Sequence, residues 1–171
     1  MNGIQAHGTS ELANTLWREG LERQLDGDLD AAVGLYRASL AVVETAEAWT
    51  FLGWCLSFKG ELELAVSYCR RAIDIDPQLG NPYNDLGAYL VEMGREDEAE
   101  TWFIKAKEAL RYETRQFPFL NLARLYIGQG RLPQALMELQ AAGVLAPEDD
   151  RISELVAYVG ILVEARLPQA A

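Results

Sequence analysis

The sequence has few of the residues from which catalytic and metal sites are usually built. His7 is the only histidine among 171 residues, and Cys55 and Cys69 lack the CxxC spacing of a zinc site. A Ser/His/Asp or Cys/His arrangement needs a histidine beside its nucleophile, and His7 lies in a segment that we expect to be a disordered tail. The glycines do not form a phosphate-binding loop. We therefore expect no enzyme activity, no metal and no cofactor, with both cysteines as buried thiols.

Positive charge and long apolar runs are also scarce. The chain carries 15 Lys and Arg against 26 Asp and Glu, a net charge of −11. Binding to nucleic acid or to an anionic membrane needs clustered basic residues, so neither is expected as a partner. No stretch approaches the ~18 uninterrupted apolar residues of a membrane span, and residues 1–10 do not resemble a secretory signal. These absences predict a cytoplasmic protein without membrane insertion, whose negative field favours basic or neutral protein partners.

Glycine and alanine, in contrast, recur at an almost fixed period. The intervals of 33, 34 and 36 residues appear twice, in the series Gly27, Gly60, Gly94, Gly130 and in the series Ala32, Ala65, Ala99, Ala135. A period in this range indicates stacked supersecondary units rather than one folded core.

Apolar residues at helical spacing between these positions predict pairs of helices. The expected spans are 13–25, 29–43, 46–59, 62–75, 81–93, 96–109, 117–129 and 132–145, followed by a ninth helix over 151–165. Glycine at each turn suits a helix end, and Pro77 and Pro147 lie where second helices should stop. No useful β-strand alternation appears, so the predicted fold class is all-α.

The clearest copy combines Trp49-x-x-Leu52-Gly53 with Gly60, Ala65, Ala72 and Pro77, and it resembles the tetratricopeptide repeat (TPR). Three further copies extend the resemblance over about residues 13–148. It implies a right-handed superhelical α-solenoid of four TPR helical hairpins plus a C-terminal capping helix. The expected divisions are an N-terminal tail (1–12), four repeats (13–45, 46–79, 80–115 and 116–149), the capping helix (150–165) and a tail (166–171).

The resemblance implies a concave groove, lined by the first helix of each hairpin, that holds a peptide or helix of a partner. By register, the expected partner-binding residues are Trp17, Leu21, Phe51, Trp54, Phe58, Asn81, Asn84, Asp85, Ala88, Asn121 and Arg124. The aromatic residues are interpreted either as a binding wall or as packing between repeats. The asparagines and Arg124 are suited to bonding a peptide backbone or a carboxylate. Asp85 would repel an acidic tail, which disfavours the chaperone-tail clamp known in other TPR proteins.

Two segments depart from the repeat pattern. The third interval is two residues longer, which places extra chain near Arg111 and Arg115. We interpret this either as a tolerated surface insertion or as a basic secondary contact. Residues 151–165 stand where a fifth repeat would begin, and they are strongly apolar for an exposed cap. The helix is therefore either well buried or a surface for self-association.

The leading hypothesis is a non-catalytic adaptor or scaffold that binds a peptide or amphipathic segment of a partner protein. One alternative is a secretion-type chaperone that holds a hydrophobic client segment. Another is a regulatory accessory subunit of an enzyme complex.

Overall fold

The computed structural model describes the backbone of residues 2–166 and the side chains of residues 9–165. Within this part the chain forms nine α-helices and no β-sheet, which confirms the all-α prediction. They are α1 (Asn2–Leu25), α2 (Leu29–Val42), α3 (Ala46–Phe58), α4 (Leu62–Ile75), α5 (Asn81–Glu92), α6 (Glu96–Glu108), α7 (Phe117–Gly128), α8 (Leu132–Leu145) and α9 (Asp150–Arg166).

The glycines between paired helices end the first helix of each hairpin in the same way. All four adopt positive φ angles, at Gly27 (82°), Gly60 (79°), Gly94 (73°) and Gly130 (72°). The residue after each glycine donates its N–H to the carbonyl five residues earlier, as in Glu61 to Leu56 at 3.0 Å and Arg95 to Leu90 at 2.8 Å. This is the Schellman arrangement, which a left-handed residue makes possible. The repeating glycine therefore fixes where each hairpin turns.

The two helices of each hairpin approach closely because small residues lie between them. A Cβ placed at Gly87 would lie 2.6 Å from the Phe103 ring, and one at Gly53 would lie 3.2 Å from the carbonyl of Ala65. Ala65 and its counterparts in the other repeats have no exposed surface. Larger side chains at these positions would separate the helices, so the Gly and Ala series encodes the hairpin packing.

The N-terminal boundary differs from the sequence prediction. Residues 1–12 are expected to form a tail, but α1 already begins at Asn2. The glycines at positions 3 and 8 lower helix propensity, but no proline interrupts residues 2–25, so the helix extends toward the N-terminus. The side chain of His7 and most of the expected tail 166–171 lie outside the described residues.

The longer third interval forms a folded connector, residues 109–116, between α6 and α7. Arg111 pairs with Leu79 in an isolated parallel bridge, its carbonyl accepts from the N–H of Gly80 at 2.9 Å, and its N–H donates to Gln78 at 2.9 Å. Its guanidinium also forms ion pairs with Glu47 and Asp76. Because α6 ends at Glu108, the two extra residues lengthen the loop and not the helix.

Candidate functional site

The first helices of the hairpins form the concave layer of the solenoid. Helices α1 and α3, α3 and α5, and α5 and α7 touch each other, whereas the second helices of neighbouring repeats make no such contact over the described residues. In a curved stack of hairpins, the helices on the inner, concave side lie closer together than those on the outer side. Helices α1, α3, α5 and α7 therefore line the concave groove. The sequence register assigns the expected binding residues to these four helices.

A pocket of about 200 Å³, here called the central pocket, lies in the middle of this groove. It brings together five of the expected residues, namely Phe51, Trp54, Asn81, Asn84 and Asp85, from α3 and α5. Its other lining residues are Gln24, Thr50, Tyr112, Thr114 and Phe117. The pocket therefore joins side chains from all four repeats or their connectors.

Of the expected aromatic residues, Trp17, Phe51 and Trp54 are all half-buried against the core, and only Phe58 is exposed. Phe51 meets Trp17 edge-on at 5.5 Å between ring centroids, and it stacks on Tyr36 at 6.0 Å. Trp54 instead pairs with Phe58 at 4.2 Å within α3, and the Phe58 side chain is 65 % exposed. Trp17 and Phe51 thus join the first two repeats, and both Phe51 and Trp54 line the central pocket.

A short chain of side-chain amides crosses from α7 to α5 beside the central pocket. The Nδ2 group of Asn121 donates to Oδ1 of Asn84 at 2.9 Å, and Asn84 is only 8 % exposed. The Asn84 side chain also lowers the pKa of the neighbouring Asp85 carboxyl group, against the larger effect of burial. The two asparagines predicted for the groove therefore orient one another beside that carboxyl group.

Asp85 has the most unusual electrostatic environment in the groove. Burial raises its pKa from 3.8 to about 7, and the hydrogen bond from Asn84 offsets only part of this effect. Among the described residues, no lysine or arginine forms an ion pair with it. At neutral pH this position therefore holds a carboxyl group that is partly ionised and lacks a cation.

A larger pocket of about 520 Å³, here called the terminal pocket, lies between α7 and α9. Its apolar lining includes Phe117, Leu120, Ile127, Ile152 and Leu155, and its polar lining includes Asn121 and Arg124. Phe117 is 46 % exposed and lines both pockets. The capping helix thus extends the groove in addition to covering the fourth repeat.

The remaining expected residues lie elsewhere along the groove or on the connector. Trp17 lines a separate pocket at the α1 end, and Ala88 lines another of about 280 Å³ between α5 and α7. Leu21 is partly buried. Arg111 is occupied by its two ion pairs, and Arg115 donates to the carbonyl of Lys107 at 3.4 Å.

Sequence reasoning missed the connector residues of the central pocket. Tyr112 is 7 % exposed, and a Cβ at Gly80 would lie 2.6 Å from its side chain, so the ring packs directly on the start of α5. Thr114 lines the same pocket. The two-residue insertion indicated extra residues at this position, but the sequence interpretation assigned a role only to the basic residues there and not to Tyr112. The sequence interpretation of α9 as a cap or a self-association surface also missed Ile152 and Leu155 as lining residues of the terminal pocket.

The described residues contain no cluster of metal ligands, and both cysteines are buried. No group of three or more His, Cys, Asp or Glu residues lies together in a metal-binding arrangement within this part of the chain. Cys55 and Cys69 are buried thiols. Burial raises the pKa of Cys55 to about 11 and raises that of Cys69 well above its usual value, so both stay protonated at neutral pH. No helix in the described region is long and apolar enough to cross a bilayer.

Helical hairpins stacked around a pocketed concave face define an α-solenoid of the helical-repeat class. The family profile described as Tetratricopeptide repeat matches residues 46–79, and a second profile with the same description matches residues 83–111. The chain belongs to the tetratricopeptide repeat family, as the sequence motifs predicted.

The chain is similar in sequence or in fold to several known proteins. It is 30 % identical over 141 residues to the photosystem I assembly protein Ycf3 of Parasynechococcus marenigrum, covering 75 % of this chain and 82 % of that protein. Its fold is similar to that of pilF of Pseudomonas aeruginosa, with a TM-score of 0.85 at 22 % identity over 94 % of this chain and 73 % of that one. It is also similar to PilW, a type IV pilus biogenesis factor, with a TM-score of 0.77 at 20 % identity over 88 % and 69 %.

Proposed function

We propose that this protein is a non-catalytic interaction module that binds an extended or amphipathic segment of a partner protein in its concave groove. The observation that carries the proposal is the central pocket, where the Trp54 ring lies beside Asn81, Asn84 and Asp85. Aromatic rings provide apolar contact area, and a few convergent polar groups fix the orientation of a ligand. The cytoplasmic location indicated by the sequence belongs to the same proposal.

The relatives favour a role in assembling complexes. One is named for the assembly of photosystem I, and one solved structure is described as a pilus biogenesis factor. A groove that holds one subunit segment until another subunit arrives would serve such a role without any catalytic residue. We therefore propose an assembly adaptor and leave the assembled complex unassigned.

The terminal pocket favours a chaperone as the second candidate. Phe117, Ile127 and Leu155 are 46 %, 38 % and 42 % exposed and line one apolar cavity. Such a surface suits a hydrophobic client segment. A hydrophobic client that co-purifies with the protein would favour this candidate, whereas a stable complex with an active enzyme would favour a regulatory subunit.

The decisive variant is Trp54→Ala. Partners are first identified by cross-linking from cells and are then titrated as purified segments. Because a buried tryptophan anchor often dominates binding energy, we expect the variant to lose about 2 kcal/mol or more of binding free energy, which is about 30-fold in Kd.

Trp102→Ala is the matched control, since Trp102 lies on α6 against Arg70 and Lys105 and lines none of the groove pockets described above. Its affinity for the partner segment should equal that of wild type. Helicity by circular dichroism verifies that both variants are folded. Equal affinities for wild type and Trp54→Ala would contradict binding in the groove.

A further inference from the structure

The central pocket contains a single charged group, which no cation on the described residues neutralises. Asp85 is the only charged side chain among the described residues that line this pocket. The other polar lining groups are amides and hydroxyls, including those of Gln24, Asn81 and Thr114. The pocket therefore has a net negative charge when Asp85 is ionised.

The titratable groups around Asp85 on the neighbouring elements supply no positive charge. They are Cys69 on α4, Tyr89 on α5 itself and Tyr112 on the connector; burial raises the pKa of each of them, and the charge of Asp85 raises it further. All three are therefore neutral at physiological pH. Asn84 offers Asp85 a hydrogen bond but no charge.

A half-buried carboxylate without a cation is costly, and a partner can remove that cost. An apolar side chain entering the pocket would desolvate Asp85 further, and an acidic one would repel it. A lysine or arginine would form a charge-assisted hydrogen bond, which is about twice as strong as a neutral one. The aromatic rings of Trp54 and Phe117 line the same pocket and suit the aliphatic stem and the cation of such a side chain.

We infer that the central pocket is a specificity site for one lysine or arginine side chain of the bound partner segment, with the cation placed against Asp85. The inference rests on the proposed groove function and names the chemistry of its partner. A volume of about 200 Å³ is below the ~300–1,000 Å³ typical of small-molecule sites and suits one long side chain. The net charge of −11 also attracts a basic partner through long-range electrostatics.

A positional-scanning library of hexapeptides tests this inference on the full-length protein. In each pool one position is fixed and the others are randomised, and binding is measured by fluorescence competition at pH 8. We expect pools with a fixed lysine or arginine at one position to bind at least tenfold more tightly than pools with norleucine or citrulline there. Asp85→Asn should remove this preference, whereas Asp97→Asn, which changes an exposed carboxylate on α6, should leave it intact.

The pH dependence provides a second readout that needs no variant. At pH 5.5 the preference of the wild-type protein for basic pools should shrink several-fold, since Asp85 takes up a proton below about pH 7. If Trp54→Ala removes binding of the library but the wild-type protein shows no preference for basic residues, this inference is overturned while the proposed groove function is retained. A basic preference that survives Asp85→Asn would also overturn it. Library binding insensitive to Trp54→Ala would contradict the groove function itself.

Discussion

At the scale of single residues, the burial of Asp85 makes the stability of the protein depend on pH in an unusual direction. Its folded pKa of about 7 lies above the value of 3.8 for the exposed group. Between these values the folded state binds a proton that the unfolded chain does not. The stability that this proton contributes is present at low pH and is lost as pH rises through 7, by ~1.4 kcal/mol per pH unit within the window.

Chemical denaturation at pH 5 and pH 8 measures this effect. Because other groups titrate equally in both proteins, Asp85→Asn isolates the contribution of Asp85. We expect the wild-type protein to lose about 2 kcal/mol more unfolding free energy than the variant does between the two pH values. Parallel changes in wild type and variant would show that Asp85 titrates normally and is not desolvated.

The sequence predicted the face on which each groove side chain lies, but not which of them remain accessible. Helical register alone places Trp17, Phe51 and Trp54 on the inner layer. Whether a ring packs or stays accessible depends on neighbours from another repeat, such as Tyr36, which stacks on Phe51. The pairing of Asn121 with Asn84 spans 37 residues and was likewise invisible to a local pattern.

At the scale of structural elements, the connector 109–116 depends on close packing against the start of α5. A side chain at Gly80 would collide with Tyr112, whose atoms would lie 2.6 Å from the new Cβ. We expect Gly80→Ala to lower the unfolding free energy by the ~1–3 kcal/mol typical of overpacking. Thermal or urea denaturation measures this loss.

Gly34→Ala is the control for Gly80→Ala. Gly34 lies inside α2, and a Cβ there would meet nothing within 4 Å. Alanine is the better helix former, so this variant should gain up to about 1 kcal/mol. If Gly80→Ala were as stable as Gly34→Ala, the packing of Tyr112 on the connector would be contradicted.

The helices were predicted closely because their ends are encoded locally. Each hairpin turn has a glycine that a left-handed backbone requires, and α2 to α8 begin and end within one residue of the predicted bounds. The connector was not predicted, since its pairing with Gln78 and Gly80 joins segments that are distant in sequence. A local pattern shows that extra residues are present but not where they dock.

At the scale of the whole molecule, each hairpin is stable because its neighbours cover its apolar faces. A disruption in the second repeat should therefore spread to adjacent repeats before it reaches the ends. Ala65 lies on α4 and is fully buried against α3. Ala65→Arg should therefore lower the unfolding free energy by at least ~1–3 kcal/mol. Hydrogen exchange should accelerate first in α3 and α4 and then in α2 and α5.

Ser67→Arg provides the comparison, because Ser67 lies two residues further along α4 and is exposed. Its melting temperature should stay close to that of wild type. An unchanged melting temperature for Ala65→Arg would contradict the repeat register on which the fold is based.

The pairing of Arg111 with residues 78–80 also affects how the solenoid would respond to pulling force. It joins the segment that leads into the third repeat to the segment that leaves it, through two backbone hydrogen bonds and the ion pair with Asp76. Tension applied at the two termini would pass through the pairing of Arg111 with residues 78–80 and would bypass α5 and α6. The third repeat, which carries Asn84 and Asp85, would then keep its shape while its neighbours stretch, so the central pocket, which also takes side chains from those neighbours, would open at the boundaries of the third repeat.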